Sequence, residues 1–435
     1  MAKSTPAVLA LMVLGALVAH AGPIRLDNGA TLVLDPVPGA GGVSVIALYE
    51  TGFAHDLAGV AQTAHLAEHL RVTAGVGPDA PNEAMDRLNR IGGANAETLG
   101  SVTYYDYALP AGVPEIALRA EAARLTELRI TPADIEREVS RVVAEVRSVA
   151  SSPMLPVGKF AAMAAAQFWR HDRGLASVGV ELADPPTPEV MDAYINERHR
   201  PARLTLVVTG DFDANATEQL ARETIGAVPD QHADRADGPE PDFTDLPQHR
   251  RVVWAQPATV VLVALPGGLP AARAELEAVA GRVAFALQQR GAAGSVVSSG
   301  SVIPSGPLPL FVGVCVPPDT DIDPVLAEVD RALDRAARTP AGTARAAAAF
   351  LAKRLDTPDG PAVRANALRG VAARGLAEDR AHVDAARLLG NTALQNLLKA
   401  AHDPRADGPD DGALEESIRA VFGKENRRVL ILTPE

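Results

Sequence analysis

Apolar positions along the chain follow two spacings. Short runs that are apolar or alternate with polar residues predict strands at 30–34, 43–49, 94–98, 102–109 and 204–209. The Pro/Gly cluster at 36–42 separates the first two, and Gly92-Gly93 marks a turn before the third. Between them, apolar residues recur every three to four positions. This predicts helices over 57–72, 82–91, 114–128, 132–149, 155–169, 187–198 and 214–225. Thr131-Pro132 and Thr187-Pro188 supply N-cap and first-turn pairs for two of these.

Residues 228–250 are rich in Pro, Asp and His and lack periodicity, which predicts a linker. The second half then repeats the flavour of the first. Strands are expected at 252–254, 259–265, 295–303, 308–316 and 429–432. Helices are expected at 271–290, 324–337, 343–355, 362–377 and 414–422. Strands mixed with helices and hairpin-like pairs predict an α+β fold of two similar domains, 22–227 and 251–435, each an antiparallel-rich sheet packed with helices.

The first residues change the picture at one end. Lys3 precedes a 13-residue apolar run, 7–19, and Ala19-His20-Ala21 fits a small-x-small cleavage pattern. The run is too short to span a bilayer, so a signal peptide over 1–21 and a periplasmic or secreted mature chain are expected. No other stretch reaches membrane-span length. The single cysteine, Cys315, cannot form an internal disulfide and is expected in a buried strand. An exported chain without disulfides suits a bacterial periplasm.

A 435-residue chain that is 47% hydrophobic supports two or more packed cores. Its net charge of −13 argues against nucleic-acid and anionic-membrane partners.

The chemistry is concentrated in His65-Leu66-Ala67-Glu68-His69. On a helix the two imidazoles stand one turn apart, with the Glu68 carboxylate beside them. Two neutral imidazoles at that spacing can bind one zinc ion, and a nearby carboxylate can take a proton from an activated water. The pattern H-x-x-E-H is the inverted zincin motif. A catalytic zinc site needs a third protein ligand. The predicted helix 132–149 offers Glu136, Glu138 and Glu145. Arginines 137, 141 and 147 can pair with an acidic helix face, which suits Glu136. Glu145 is flanked by Val142, Val143, Ala144 and Val146 and is expected to be half buried.

Taken together these residues resemble the pitrilysin, insulysin and mitochondrial processing peptidase family of inverted-motif zinc metallopeptidases. In that family an H-x-x-E-H helix is followed, about 76 residues after the second His, by a Glu in an E-x6-E helix. Here 145 − 69 = 76, and Glu138 lies seven before Glu145. Ile91-Gly92-Gly93-Ala94-Asn95-Ala96-Glu97-Thr98, with Thr103-Tyr104, resembles the family's GG-x-x-NA-x-T … T-x-Y strand pair, with one residue fewer between the glycines and Asn95. Gly174 after Phe168–His171 resembles its aromatic-H-x-x-G stretch. His199-Arg200-Pro201-Ala202-Arg203 resembles the segment closing its first domain, with His199 in place of Tyr.

The resemblance implies one half of a clamshell and a set of roles. His65, His69 and Glu145 would hold Zn2+. Glu68 would be the general base, and Glu138 would orient a ligand or water. Asn95 and Ala96 would lie on a strand that pairs with an extended peptide or unfolded protein substrate. One departure stands out. Family second halves carry an Arg and a Tyr in a stretch like L-R-E-x-x-G-L-A-Y-S. Here Gln288 and Gly294 occupy those places, with Arg290 out of register. A zinc endopeptidase working with a homologous partner subunit that donates the Arg/Tyr pair is therefore expected. The alternative is a non-catalytic scaffold or helper subunit of the same fold.

Overall fold

The computed structural model describes residues 23–57, 60–98, 102–151, 185–230, 248–254, 259–265, 287, 296–298, 310–337 and 420–434. The expected signal peptide, the helices at 155–169, 343–355 and 362–377, and the Gln288–Gly294 departure lie outside them.

The first sheet has six strands: β1 (Ile24–Arg25), β2 (Thr31–Pro36), β3 (Gly42–Tyr49), β5 (Gly93–Thr98), β6 (Thr103–Pro110) and β8 (Leu204–Gly210). They lie in the order β1-β2-β8-β3-β6-β5. Short β4 (Gly75–Val76) and β7 (Leu128–Arg129) pair separately. The second sheet holds β9 (His249–Trp254), β10 (Thr259–Leu265), β11 (Val296–Ser298), β12 (Leu310–Val316) and β13 (Arg428–Pro434), in the order β11-β12-β10-β13-β9.

The two sheets are built alike. In each, the first long strand runs parallel to the last: β2 with β8, and β9 with β13. In each, that last strand is antiparallel to the second long strand, β3 or β10. A hairpin-like antiparallel pair, β6-β5 or β12-β11, completes it. This is the α+β, antiparallel-rich arrangement expected from the sequence, and the repeat is visible at the level of strand order. β9 begins at His249, so His249 and Arg250 belong to the second sheet rather than to a linker. Their backbone groups pair with β13, which the local Pro and Asp content does not reveal.

Helices cover the first sheet. They are α1 (Thr63–Thr73), α2 (Glu83–Ile91), α3 (Glu115–Thr126), α4 (Pro132–Ser151), α5 (Pro188–Arg198) and α6 (Ala214–Glu223). Alternate strand residues such as Val43, Val45, Ala47, Tyr105 and Tyr107 pack on Leu88, Ala117, Leu118 and Ala221 of α2, α3 and α6. In the second sheet Val261, Val263, Val314 and Ile431 pack on Val329 and Leu333 of α7 (Ile322–Ala337). Leu287, expected within a long helix, is also buried in this core. Among the described residues no helix is long and apolar enough to cross a membrane.

The helix expected over 57–72 starts late, at Thr63. A 3-10 turn spans Phe53–His55, and Leu57 bridges to Val60. Asp56 explains the delay. Its buried carboxylate accepts from the backbone N–H of Gln62 at 2.9 Å and of Ala64 at 2.8 Å, doing the work of an N-cap from outside the helix. At α4, Thr131 Oγ1 accepts from Asp134 N and Asp134 Oδ2 accepts from Thr131 N at 2.9 Å, a reciprocal cap.

Two contacts fix α1. On one side Ala64, Leu66, Ala67 and Leu70 pack with Ile135 and Val142 of α4 and Met191, Tyr194 and Ile195 of α5. On another, fully buried Arg71 donates to Glu121 Oε2 at 2.9 Å and to the Tyr49 hydroxyl at 3.0 Å. Its guanidinium stands 4.7 Å from the Tyr49 ring centre and 5.0 Å from that of Tyr105. Arg124 and the Tyr107 hydroxyl reach the other oxygen of Glu121. His199 closes this group, with Nε2 3.2 Å from the Tyr105 hydroxyl. Burial and the nearby Arg71 charge push the His199 imidazole well below its usual range, so it is neutral.

Candidate metal centre

α1 presents His65 and His69 on one side, with ring centres 4.8 Å apart and planes at 84°. α4 crosses in front of them. Glu145 Oε2 lies 3.6 Å from His65 Nε2 and 3.4 Å from His69 Nε2. One donor atom from each residue falls within 4.8 Å of the others. Two donors each ~2.0–2.1 Å from a tetrahedral zinc stand ~3.3 Å apart, so the Nε2–Oε2 separations suit a shared ion. His65 is buried, whereas the Glu145 side chain is 38% exposed. The half-buried Glu145 expected from its flanking valines is found, and one side of the group faces solvent.

The remaining ring nitrogens are occupied. His65 Nδ1 is 3.0 Å from Gln62 Oε1, and His69 Nδ1 is 3.2 Å from Glu138 Oε2. With Nδ1–H donated to those oxygens, Nε2 is the atom of each ring left to face Glu145 and, once deprotonated, to ligate a metal. The chemistry of the donor set therefore fits a zinc ion.

Glu138 is fully buried. Its other oxygen accepts from Arg137 Nε at 2.8 Å and Arg141 Nη1 at 2.9 Å. The helix-spaced arginines thus serve Glu138. Burial would raise the Glu138 carboxyl, but the bonds from His69 and Arg137 overcome this and hold it at about 2. For His69, burial would lower the imidazole, but hydrogen bonds to Glu138 and Glu145 lift it to about 9. Without metal, His69 is an imidazolium clasped between two carboxylates.

Glu68 lies on the same helix, 7% exposed, and accepts from Thr98 Oγ1 at 2.7 Å. Thr98 ends β5. Its hydroxyl lies 3.3 Å from that of Thr103, which donates to the Thr51 carbonyl at 2.9 Å. Asn95 and Ala96 are on the same strand, opposite Asp106 and Tyr105 of β6. β5 is the last strand in its sheet order, so its outer edge is unpaired among the described residues. α1 packs against this strand.

The residues singled out in sequence are thus gathered at α1, α4 and β5. Sequence reasoning missed Gln62 as the partner of His65, and Thr98 as the partner of Glu68. The only local signal for Gln62 is its place one turn before His65. Thr98 has none except its position in the strand-pair motif.

No protein-family model and no curated protein matches the sequence. Comparison in three dimensions does find similar structures. The crystal structure of a protease from Helicobacter pylori aligns with 95% of this chain and 99% of its own, at 15% identity and a TM-score of 0.68. A peptidase M16 inactive domain from Pseudomonas fluorescens aligns at 13% identity and a TM-score of 0.60, covering 95% of this chain and 98% of its own. Pitrilysin aligns at 18% identity and a TM-score of 0.54, covering 95% of this chain but 44% of pitrilysin. The chain has the fold of the pitrilysin-type peptidases and spans just under half of pitrilysin's length.

Proposed function

We propose that this chain is a zinc-dependent endopeptidase that hydrolyses peptides or unfolded protein segments. The observation that carries the reading is the convergence of His65 Nε2, His69 Nε2 and Glu145 Oε2, with Glu68 beside them on α1. A zinc ion held there would supply a Lewis acid and an acidified water.

The chain's own groups do the rest. Gln62 and Glu138 hold the two imidazoles by their Nδ1 atoms, so each Nε2 remains a donor. Glu68, fixed by Thr98 through one oxygen, accepts the proton of the attacking water and returns it to the leaving amine. Hydrolysis adds water across the amide bond, yielding a carboxylate and a protonated amine, with no net change at Glu68. The outer edge of β5, unpaired among the described residues, carries Asn95 and Ala96 and suits an extended peptide whose backbone adds as a further strand.

A partner subunit of the same fold, carrying the Arg and Tyr that Gln288 and Gly294 replace, would complete the site. The N-terminal sequence supports export to the periplasm or beyond.

The inactive domain from Pseudomonas fluorescens has this fold too, which favours a non-catalytic scaffold as the second reading. The complete His65, Glu68, His69 and Glu145 set speaks for the enzyme. The test is metal analysis of the purified chain and of His69→Ala, with hydrolysis of an unfolded protein followed in parallel. About one zinc per chain and chelator-sensitive cleavage are expected from the parent, and neither from the variant. Equal zinc in both would remove the assignment.

A further inference from the structure

Gln62, immediately before α1, has φ 68° and ψ 12°, the left-handed conformation. A side chain with a Cβ is disfavoured there, and asparagine or glycine is the usual occupant. The other non-glycine residue with positive φ among those described is Asn82, which is of the tolerated type. Gln62 is not. Such an outlier persists where its surroundings over-determine it, and these outliers gather at functional sites.

The surroundings of Gln62 do over-determine it. Its backbone N–H donates to Asp56 Oδ2 at 2.9 Å, and its carbonyl accepts from Leu66 N at 2.8 Å. Asp56 also holds Ala64 N, so the turn and the first helical residues are fixed as one unit. The side chain is 1% exposed, and Oε1 lies 3.0 Å from Nδ1 of His65, which is equally buried. A residue of the wrong conformational type is therefore kept at a strained position whose side chain ends on a histidine of the candidate metal centre.

We propose that Gln62 is a positioning residue that sets the tautomer and ring orientation of His65 for metal binding; this rests on the zinc reading above. Its amide oxygen accepts Nδ1–H, which leaves the Nε2 lone pair directed at Glu145 Oε2, 3.6 Å away. Glycine would relax the backbone and lose the oxygen. The strain of the turn and the order of the metal site are thus set against each other at one residue.

The experiment measures zinc affinity by competition with a chromogenic chelator, and thermal unfolding of the metal-free chain. The variants are Gln62→Gly, Gln62→Glu and His65→Ala. Gln62→Gly is expected to bind zinc about 10- to 100-fold more weakly. Its metal-free Tm is expected at or above that of the parent, because glycine takes the left-handed backbone without strain. Gln62→Glu keeps an acceptor oxygen and is expected to keep most of the affinity. If Gln62→Gly matches the parent while His65→Ala loses zinc, the metal reading stands and the role of Gln62 is overturned. A parent chain that binds no zinc would overturn both.

Discussion

Thr98 donates its hydroxyl to Glu68 Oε2 at 2.7 Å, joining the end of an edge strand to the carboxylate proposed as general base. The bond is buried, so water does not compete for it. It restrains the carboxylate that must meet the attacking water, and that restraint is testable. Thr98→Val is expected to keep zinc and lower kcat by about tenfold, while Thr98→Ser restores it, since a misplaced catalytic group costs rate more than binding. Steady-state kinetics beside zinc content decides it, and an unchanged kcat in Thr98→Val would show that Glu68 is held by other means.

Glu68→Gln is expected to retain about one zinc and lose hydrolysis by about 10²–10⁴-fold. The amide matches the carboxylate in shape but does not accept the proton. Zinc lost together with activity would make Glu68 a ligand instead.

Zinc binding is expected to release about one proton from His69 near pH 7. Metal-free His69 is raised to about 9, because its bonds to Glu138 and Glu145 outweigh burial, so below that pH its Nε2 carries a proton. A metal ligand must shed it. Calorimetry in buffers of different ionisation enthalpy counts the proton. The release should fall away as pH rises through about 9, and zinc affinity should weaken as pH falls. Buffer-independent heats at pH 7 would refute the proton count.

The buried Arg71–Glu121–Arg124 group predicts a stability effect at a distance from the metal. Glu121→Ala leaves two buried guanidinium groups without their carboxylate and is expected to cost ~3–5 kcal/mol in chemical denaturation. A loss below ~1 kcal/mol would mean that the tyrosine rings and hydroxyls around Arg71 suffice.

Activity is expected to depend on a second chain. Charge develops on the substrate carbonyl oxygen, and a site lacking a donor there loses about a hundredfold or more in rate. In the reading proposed above, Gln288 and Gly294 take the places of the Arg and Tyr of pitrilysin-type second halves. Cleavage of an unfolded protein is measured with the chain alone and with a same-fold partner carrying that pair. Full activity from the lone chain would leave Arg290 or another donor in that role.

Local elements and one side of the site were legible along the chain. Short apolar runs set where β3, β6 and β10 form, and the three-to-four-residue spacing sets where α4 forms, because these signals travel only a few positions along the chain. The four-residue spacing of His65 and His69 put both imidazoles one turn apart, and the seven-residue spacing of Glu138 and Glu145 put both carboxylates on one face. Periodicity says which face of a helix is buried and not against what. Tertiary structure decided that α4 lies against α1 through Ala67, Leu70, Ile135 and Val142, which carries Glu145 to the histidines. It also decided that Asp56 delays the start of α1, that Gln62 turns back onto His65, and that Thr98 reaches Glu68. Each of these is a polar group whose partner is fixed by burial. Desolvation forces such a group to find a hydrogen bond, and only the packed chain determines which partner is within reach.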